Sequence, residues 1–595
     1  MLAKCAPISV ENDLGTEEMR HGHVEPVTIR SSLLLASLLL VANVAPSPVT
    51  AAPSRPGSDP GAVVAGPVAA RIDSFMTAAA EYGMAGTLLV ERDGKVIVHK
   101  GYGQVDRRKG TAATTRTSYL LGSLSKQFTA AAIYKLDAQG KLHLADSVGR
   151  WFPEAPADKR GITVDQLVHH TSGLPYLPHG DLYDSLSMDA VVRETLATPL
   201  DFTPGARYAY SSPGYSLLAA LVERASGAPF DDYVRRELFQ PAGMTETGFA
   251  DEASRWDAEK RTPSYSSGDP DPDPPLYPAP FASRITGGGS VVSTCADLWK
   301  WEQALRSGRV FDAATTKKLF TPGPAVGTNA SYAGGWVVAR SQRNTTVIMH
   351  AGDIGGFNTD MRRLVDEGAT IIFLSNTREA GRGYRDVVSI TVTRIVFGPA
   401  PNLPPPPARV SESVLHRWNG PTTVAPGVTV DARAQGGQVW LTARTQEGMF
   451  ALAGADSAAR AQAPAFNRLA EATTLPLLSG DASGLDSIFS PSLVETSHPE
   501  FFRLWKAVTD SIGGVTGHEV IGTTVSPPSG ARSLVRLTGT KGSRVMTLDW
   551  LGGKLIQSSP IREDGLTLRF VPESDDTLSR YDLWAGRIVR VVRGG

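Results

Sequence analysis

The chain after residue 65 opens with two patterns of apolar and polar positions that predict different elements. Residues 66–84 place apolar side chains at helical spacing, whereas TLLVERDGKVIVHKGYG (87–103) alternates apolar and polar positions around Asp93-Gly94. An Asp-Gly pair between two alternating runs is a strong signal for a β-hairpin. We therefore predict a helix followed by a two-stranded hairpin.

Helical patterns then dominate residues 123–310. In GSLSKQFTAAAIYKL (122–136) the apolar residues share one face, and Gly140 supplies a stop signal. The prolines of SSGDPDPDPPLYPAPF (266–281) exclude both a helix and a central strand from that segment. Such a loop either lines a cleft or is an excursion of the surface, and the pattern is compatible with both.

Strand patterns return downstream of the helical region. They lie at 332–340, 344–352, 357–365 and 369–376, and a helical pattern follows at 384–397. Strands grouped in this way around a long helical stretch are typical of an α+β sheet domain with a helical insertion. We place this domain at 66–398.

A proline run, GPAPNLPPPPARV, marks the clearest domain boundary. This composition is typical of a semi-rigid polyproline spacer, which we assign to a linker at 399–412. Beyond it lie a hairpin pattern that turns at Gly436-Gly437, two helical stretches and further strand patterns, at 427–444, 466–480, 498–513 and 533–559. We predict a smaller α+β C-terminal module at 413–595, whose role and partner the pattern leaves open.

The start of the chain resembles an export signal. RSSLLLASLLLVANVAPSPVTAAP (30–53) combines an arginine, an apolar run and small residues that suit cleavage after Ala51. The run is too short to span a bilayer comfortably. We expect an N-terminal extension and signal peptide at 1–51, a linker at 52–65, and an exported protein, periplasmic or secreted, without membrane attachment after cleavage. A retained signal anchor, or a translation start at Met19 or beyond, is the alternative.

Charge and cysteine content exclude several functional classes. The 595 residues carry 59 Lys plus Arg against 60 Asp plus Glu, so nothing indicates a basic footprint for nucleic acid. Only Cys5 and Cys295 occur, and neither Cys/His nor carboxylate spacing suggests a metal site. We expect a small-molecule or peptide substrate, no nucleic-acid partner, no metal and no cofactor.

Ser123 and Lys126 are the first candidates for chemistry. At this spacing they share one face of the first turn of the predicted helix. The N–H groups of that turn have no intrahelical partner and would stabilise negative charge that develops beside Ser123. The alternative is that Ser123 only caps the helix while Lys126 is solvated.

Further candidates lie in loops and at a strand end. Tyr210 and Ser212 precede an amphipathic helix in PGARYAYSSPGYSLLAALVERASG, and His350 stands beside glycines in IMHAGDIGGFNTDM. His169 and His170, in HHTSGLP, are expected to be structural hydrogen-bonding residues.

The order of these elements resembles a known family. Ser123-Leu124-Ser125-Lys126, HTSGL, PGxxYxYSSxGY, GGGxVST and HAGDIGGF follow one another as in the serine hydrolases that include class C β-lactamases, D-alanyl-D-alanine carboxypeptidases, D-aminopeptidases and related esterases. The likeness covers residues 66–398. It implies a β-lactamase/transpeptidase-like domain, an antiparallel sheet flanked by helices with a helical subdomain.

The resemblance also implies roles for individual residues. Ser123 would attack a carbonyl and form an acyl-enzyme, Lys126 would keep the hydroxyl reactive, and Tyr210 would shuttle the proton. Either Lys126 or Tyr210 would be the acylation base. The backbone N–H groups of Ser123 and Asp353 would form the oxyanion hole.

Two departures from the family pattern concern substrate binding, which the resemblance assigns to Ser212, His350 and Gly352. His350-Ala351-Gly352 stands where β-lactamases of this class carry Lys-Thr-Gly, so a titratable imidazole replaces a permanent cation. Ser212 stands where the family pattern has asparagine, and a serine hydroxyl reaches less far than an amide. Both changes lower our expectation of efficient β-lactam hydrolysis.

We therefore expect an exported serine hydrolase that forms an acyl-enzyme on Ser123 and cleaves an amide or ester bond. Its substrate would be a D-amino-acid peptide, a small ester or a β-lactam-like compound. The alternative is a non-catalytic scaffold or sensor that recognises penicillin or the cell wall.

Overall fold

A computed structural model describes residues 59–594, except for 177–185, 253–254, 257–260, 267–270, 277–283, 380–381, 482–484, 490–497, 527–529, 562 and 584–585. The predicted signal peptide at 1–51 and the first part of the predicted linker at 52–65 lie outside these residues. Among the helices of the described part, none is both long enough and apolar enough to cross a bilayer.

A nine-stranded antiparallel sheet forms the centre of the first domain. The Asp93-Gly94 turn joins two of its strands as predicted, and both turn residues have positive φ angles, 51° and 80°. In spatial order the strands are Val63–Val64, Lys95–Tyr102, Gly86–Arg92, Ala369–Ser375, Phe357–Leu364, Thr346–Ile354, Val337–Arg340, Ala330–Tyr332 and Ala325–Gly327.

Alternate residues of the central strands face two different layers. Ile371 and Phe373 join an apolar cluster with the helices Gly66–Glu81 and Arg385–Phe397, whereas Ile372 joins the core of the helical subdomain. This period of two is what a strand covered on both faces requires. The predicted sheet domain with a helical insertion is therefore confirmed.

In the sequence, the helical subdomain lies between two strands of the central sheet, Lys95–Tyr102 and Ala325–Gly327. Its core surrounds the helix Lys126–Ala138, most of whose side chains are fully buried. The other helices of this region are Val148–Trp151, Ala157–Arg160, Val164–Val168, Met188–Ala197, Ser212–Ser226, Phe230–Val234, Arg235–Phe239 with π geometry, Gln240–Ala242, Cys295–Arg306 and Ala313–Leu319.

Three short strands of this subdomain lie next to the turn that contains Ser123. Tyr119–Leu120, Val291–Ser293 and Gly248–Phe249 form a three-stranded sheet that leads directly into the Ser123 turn. Cys295 follows it at a helix start, and burial raises the pKa of its thiol, which fits a packing residue rather than a reactive one. The remaining short pairs are Gln104–Asp106 with Thr111–Ala112 and Arg378–Glu379 with Arg382–Gly383.

The C-terminal module is α+β, as predicted. Its two antiparallel sheets, in spatial order, are Gly420–Ala425, Val428–Gln435, Gln438–Ala443, Leu566–Pro572, Thr577–Asp582 and Arg587–Val592, and then Val515–Ser526, Gly530–Gly539, Gly542–Leu551 and Lys554–Ile561. Its helices are Glu412–His416, Gln446–Ala453, Ser457–Ser479 and His498–Ser511. Val571, Tyr581 and Leu583 of this module join the apolar cluster beneath the central sheet, so the two parts share a packed interface.

Candidate active site

Ser123 lies in a tight turn that precedes the α-helix. Gly122–Ser125 is a single 3₁₀ turn, and the α-helix begins at Lys126, so the predicted placement of Ser123 within the first α-helical turn is shifted by one turn. Gly122 has a φ of 55°, a conformation that glycine adopts without strain. The turn aims Ser123 out of the core while Leu124 and Ser125 are buried.

Lys126 is buried beside the candidate nucleophile. Lys126 is only 1% exposed. Its Nζ lies 3.4 Å from Ser123 Oγ and 2.9 Å from the carbonyl oxygen of Gly288. The same Nζ lies 4.8 Å from the centre of the Tyr210 ring, where a cation is attracted to the ring face. The alternative of a solvated Lys126 is therefore wrong, and the structure brings three predicted site residues together.

The glycine segment 287–289 supplies the acceptor for Lys126. Thr129, one turn further along the helix Lys126–Ala138, donates from Oγ1 to the carbonyl of Gly287 at 2.6 Å. A Cβ at Gly287 would lie 2.4 Å from the carbonyl oxygen of Tyr215, so glycine allows the two backbones to meet. Thr129 thus positions the loop whose next carbonyl binds Lys126, a role that helical periodicity alone does not reveal.

His170 holds the segment that carries Tyr210. Its carbonyl accepts the N–H of Ala209 at 2.8 Å, its Nδ1 accepts the N–H of Ser211 at 3.0 Å, and its ring lies 4.3 Å from that of Tyr210. Burial and the charge of Lys126 hold the pKa of His170 well below its usual range, so the ring stays neutral and its Nδ1 remains an acceptor. The predicted structural role of His170 therefore serves the site directly.

Ser211 and Ser212 have different positions at the next helix. Ser211 Oγ accepts the N–H of Gly214 at 3.2 Å and caps the helix Ser212–Ser226. Ser212 is the first helical residue, and its N–H donates to the carbonyl of Tyr176 at 3.0 Å. The serine that replaces the family asparagine thus stands at a helix start next to Tyr210.

His350 is a neutral residue in this site. Its Nδ1 lies 2.7 Å from the carbonyl oxygen of Ala351 and therefore carries the proton, and its Nε2 lies 3.1 Å from Tyr332 Oη, which donates to it. Burial, together with the charge of Lys126, lowers the pKa of His350 to about 3. The imidazole consequently offers no positive charge to a substrate carboxylate at neutral pH.

The strand that carries His350 presses against the Ser123 turn. A Cβ at Gly352 would lie 1.9 Å from the carbonyl oxygen of Leu121, so glycine is required for this approach. Thr359, on the neighbouring strand, donates to the same carbonyl at 2.7 Å. On the other side of the contact, a Cβ at Gly122 would lie 3.0 Å from the backbone nitrogen of Asp353. The amide of Asp353 therefore lies against the turn that carries Ser123.

The side chain of Asp353 is enclosed by two arginines. Arg378 and Arg385 each form an ion pair with its carboxylate, which is 5% exposed. Arg378 Nε also donates to the carbonyl of Gly355 at 3.0 Å, and Arg385 Nη1 to that of Gly352 at 3.4 Å. Neither arginine was singled out in the sequence, because no local pattern connects them with HAGDIGGF.

The described part of the proline-rich loop contacts the same strand end. Asp273 accepts hydrogen bonds of 2.6 Å from both Ser264 and Ser266, and a Cβ at Gly355 would lie 2.4 Å from Leu276. The described residues 271–276 therefore pack on the turn that follows Asp353.

Comparison with known proteins identifies the family. A protein-family model described as Beta-lactamase matches residues 68–394. The chain belongs to the beta-lactamase family of serine hydrolases. The match covers the domain that contains Ser123, Lys126 and Tyr210, and it confirms the resemblance drawn from the motifs.

Individual relatives of this beta-lactamase-family chain differ in name and in the length that they share. It is 28% identical to penicillin-binding protein 4* of Bacillus subtilis (strain 168) over 393 residues, which are 62% of this chain and 85% of that protein. It is 32% identical to esterase EstB of Burkholderia gladioli over 226 residues, 34% of this chain and 56% of that protein. A putative D-alanyl-D-alanine carboxypeptidase of Escherichia coli (strain K12) is 32% identical over 27% of this chain and 42% of that protein.

Among solved structures, an octameric penicillin-binding protein homologue from Pyrococcus abyssi superposes with a TM-score of 0.48 at 17% identity, covering 88% of this chain and 99% of that chain. D-amino acid amidase from Ochrobactrum anthropi SV3 superposes with a TM-score of 0.47 at 22% identity, covering 56% of this chain and 98% of that chain.

Proposed function

We propose that this protein hydrolyses a small ester or amide through an acyl-enzyme on Ser123. The observation that carries the proposal is the buried Lys126 Nζ, which lies 3.4 Å from Ser123 Oγ and is held by the Gly288 carbonyl. A nucleophilic serine needs a neighbouring group that accepts its proton, and buried groups keep that group in place.

In the first step, Ser123 Oγ forms a bond to the substrate carbonyl carbon, and the carbonyl π electrons move to oxygen. The hydroxyl proton passes to Tyr210 as the phenolate, or to Lys126 as the free amine after Lys126 has released its own proton to solvent. The N–H groups of Ser123 and Asp353 would donate to the oxyanion, and the close contact between Gly122 and Asp353 supports this pairing. Collapse of the intermediate expels the alcohol or amine, which takes up the proton.

In the second step, water attacks the acyl carbon under the same base and releases the acid from Ser123. The base then returns its proton to Ser123 Oγ, so the enzyme ends in its starting state. Tyr210 lies next to Lys126 and is held by His170, which supports its part in this proton transfer.

The substrate class follows from the charge of the site. The neutral His350 replaces the cation with which class C relatives would meet a substrate carboxylate, and both arginines beside Asp353 are occupied by its carboxylate. We infer a preference for acyl donors without a carboxylate next to the scissile bond, such as simple esters and amides. The matches to an esterase and to a putative carboxypeptidase are compatible with ester and amide chemistry.

Export is part of the same proposal. The arginine, the apolar run and the small residues of 30–53 support removal of a signal peptide after Ala51 and release to the periplasm or the medium. N-terminal sequencing of protein recovered from the producing cell and from its medium tests this. A mature N-terminus at Ala52 is expected, and an intact leader on membrane-associated protein would contradict it.

Intact-mass measurement tests the catalytic proposal. Folded protein is incubated with a fluorophosphonate, penicillin or a chromogenic short-chain ester, with Ser123→Ala as the matched control. We expect an adduct on the wild-type chain alone and sustained turnover of the ester. A stable adduct without turnover of any reagent would favour the recognition scaffold, and a folded chain without any Ser123-dependent adduct would refute the acyl-enzyme.

A further inference from the structure

The C-terminal module reaches the active site through two consecutive residues. Arg378 binds the carboxylate of Asp353, whereas Glu379 accepts hydrogen bonds from Arg580 of the module, 2.9 Å from Nε and 3.3 Å from Nη2. Arg378 and Glu379 form one short strand, so their side chains leave its two sides. The backbone between them thus joins a module residue to the residue that carries the candidate oxyanion N–H.

We propose that Arg580 is a positioning residue for the oxyanion hole, acting through Glu379, Arg378 and Asp353. The inference rests on the proposed function, in which the Asp353 N–H binds the oxyanion. It gives the C-terminal module a role in catalysis that does not require any residue of the module to touch the substrate.

Burial makes this connection stiff. The side chains of Glu379 and Arg580 are 5% and 7% exposed, and the Asp353 carboxylate and Arg378 are 5% and 6% exposed. Burial alone would lower the pKa of Arg580, but the charges of Glu379 and Asp582 outweigh burial and raise the pKa above its usual range, so the guanidinium stays charged. If one partner of such a pair is removed, an uncompensated charge remains in a poorly hydrated place, and the segment that carries it must move.

The Arg378 end of the connection also fixes the backbone after Asp353. Arg378 Nε donates to the Gly355 carbonyl at 3.0 Å, and the N–H of Arg378 donates to the Tyr265 carbonyl at 2.9 Å. A shift of residues 378–379 would therefore move both the Asp353 side chain and the turn beyond it. Oxyanion donors act only within a narrow range of distances, so a small shift lowers the rate.

A second arginine of the module provides a matched control. Arg569 Nη2 donates to the carbonyl of Tyr82 at 3.2 Å, and a Cβ at Gly83 would lie only 1.0 Å from that nitrogen. This buried arginine thus fixes the module to the segment after the first helix. It makes none of the hydrogen bonds that join Arg580 to Glu379, so it separates docking of the module from positioning of Asp353.

Three variants of the full chain test the proposal: Arg580→Gln, Arg580→Lys and Arg569→Gln. Hydrolysis of the chromogenic ester gives kcat and KM, thermal unfolding gives the loss of stability, and hydrogen exchange reports on residues 346–358. We expect Arg580→Gln to lower kcat about tenfold with KM changed less than about twofold, because removal of a whole donor costs about 10²- to 10³-fold. Exchange of residues 346–358 should become faster in the same variant.

Arg580→Lys keeps the positive charge, so its kcat and its hydrogen exchange at residues 346–358 should be close to those of the wild type. Arg569→Gln should lower the unfolding midpoint to a similar extent while kcat and the exchange of 346–358 stay at the wild-type level. Equal losses of kcat in Arg580→Gln and Arg569→Gln would overturn the inference, as would unchanged exchange in a folded Arg580→Gln.

The hydrogen-exchange comparison needs no turnover. If the wild-type chain shows no Ser123-dependent activity, the proposed function fails, but faster exchange in Arg580→Gln alone would still show that Arg580 orders the strand. If the wild-type chain is active and exchange is unchanged, only the role of Arg580 fails.

Discussion

The two parts of the molecule each bury a polar cluster, and the clusters differ in charge. In the C-terminal module, Gln446 and Thr523 exchange two hydrogen bonds of 2.9 Å, and Ser533 lies 2.6 Å from Thr523 Oγ1 and 2.9 Å from Trp550 Nε1. All of these groups are neutral and they bind one another. In the catalytic domain the buried cluster contains a cation, Lys126, directed at a serine.

This difference agrees with the proposal that the Lys126 cluster is the one that does chemistry. Neutral groups that satisfy one another stabilise packing and leave no hydrogen-bonding capacity for a substrate. A buried lysine is costly to desolvate, and it is kept beside two imidazoles that are themselves held neutral. Burial of a charge beside a nucleophile is thus a better sign of a site than burial of polar groups as such.

The largest expected effect comes from removal of this charge. Lys126→Met keeps much of the side-chain volume but removes the amine, so we expect kcat/KM for ester hydrolysis to fall about 10²- to 10⁴-fold. Steady-state kinetics measure it. Lys135→Met is the matched control, because Lys135 lies in the same helix and donates to the Val310 carbonyl at 2.7 Å, away from Ser123. Comparable losses of kcat/KM in both variants would contradict the prediction, because the effect would then come from disturbance of the helix and not from loss of the Lys126 amine.

The second prediction concerns the two neutral imidazoles and pH. In the unfolded chain each takes up a proton near pH 6.5, whereas the folded-state pKa of His350 is about 3 and that of His170 is also lowered. The unfolded chain therefore binds more protons below pH 6.5, and stability must fall as the pH drops from there towards 3. Each histidine contributes up to about 1.4 kcal/mol per pH unit.

Urea unfolding at pH 7.5, 6.0 and 5.0 measures this loss. The free energy of unfolding of His350→Asn should fall less steeply with decreasing pH than that of the wild type, because only His170 of the two histidines remains. Identical slopes would show that His350 is protonated in the folded protein as well.

A smaller effect is expected at Thr359, which holds the backbone before the proposed nucleophile Ser123. Thr359→Val keeps the shape but leaves the buried Leu121 carbonyl without its 2.7 Å donor, which costs about 1–3 kcal/mol of stability. We expect kcat to fall about tenfold, because the Ser123 turn becomes less ordered. Steady-state hydrolysis of the chromogenic ester measures this loss. Thr473→Val, which removes a 2.6 Å bond to the Leu469 carbonyl in the C-terminal module, should cost stability with less effect on kcat.

The smallest effect on activity is expected in the module cluster. Ser533→Ala removes the acceptor for the Trp550 indole and should lower the free energy of unfolding by about 1–3 kcal/mol. Since the proposed mechanism gives this cluster no part in the chemistry, kcat should remain at the wild-type value. Chemical unfolding and ester kinetics measure the two quantities, and the exposed Ser543→Ala should change neither. A large loss of kcat in Ser533→Ala would contradict the comparison.

Much of the fold was predictable because its signals are local. The Asp93-Gly94 and Gly436-Gly437 turns lie where the alternating patterns placed them, since both require positive φ angles. The strand Val515–Ser526 was not predicted. Its Gly522 interrupts the alternation, and a Cβ there would lie 2.8 Å from Gln446 Oε1, so a tertiary contact determines that residue.

The site was predictable to the extent that its motifs are short. Ser123 and Lys126 could be paired from their spacing, and Tyr210 and His350 from the order of the motifs. The role of His170 in holding the Tyr210 segment could not be predicted from the sequence. His170 binds the backbone N–H groups of Ala209 and Ser211, and such contacts do not depend on the identity of those residues. The same holds for Arg378 and Asp353, which only the folded sheet brings together.

The pairing at the centre of the sheet has a consequence for folding. Val90 pairs with Ile371, which lies far along the chain. The strand Gly86–Arg92 can therefore pair with Ala369–Ser375 only after most of the catalytic domain has been synthesised. Contacts between such distant segments form slowly, and an unpaired apolar strand edge invites association with other chains. A chain that ends before residue 369 would keep a helical subdomain with a large local core but an open sheet. We therefore expect such fragments to aggregate rather than to accumulate as a folded smaller enzyme.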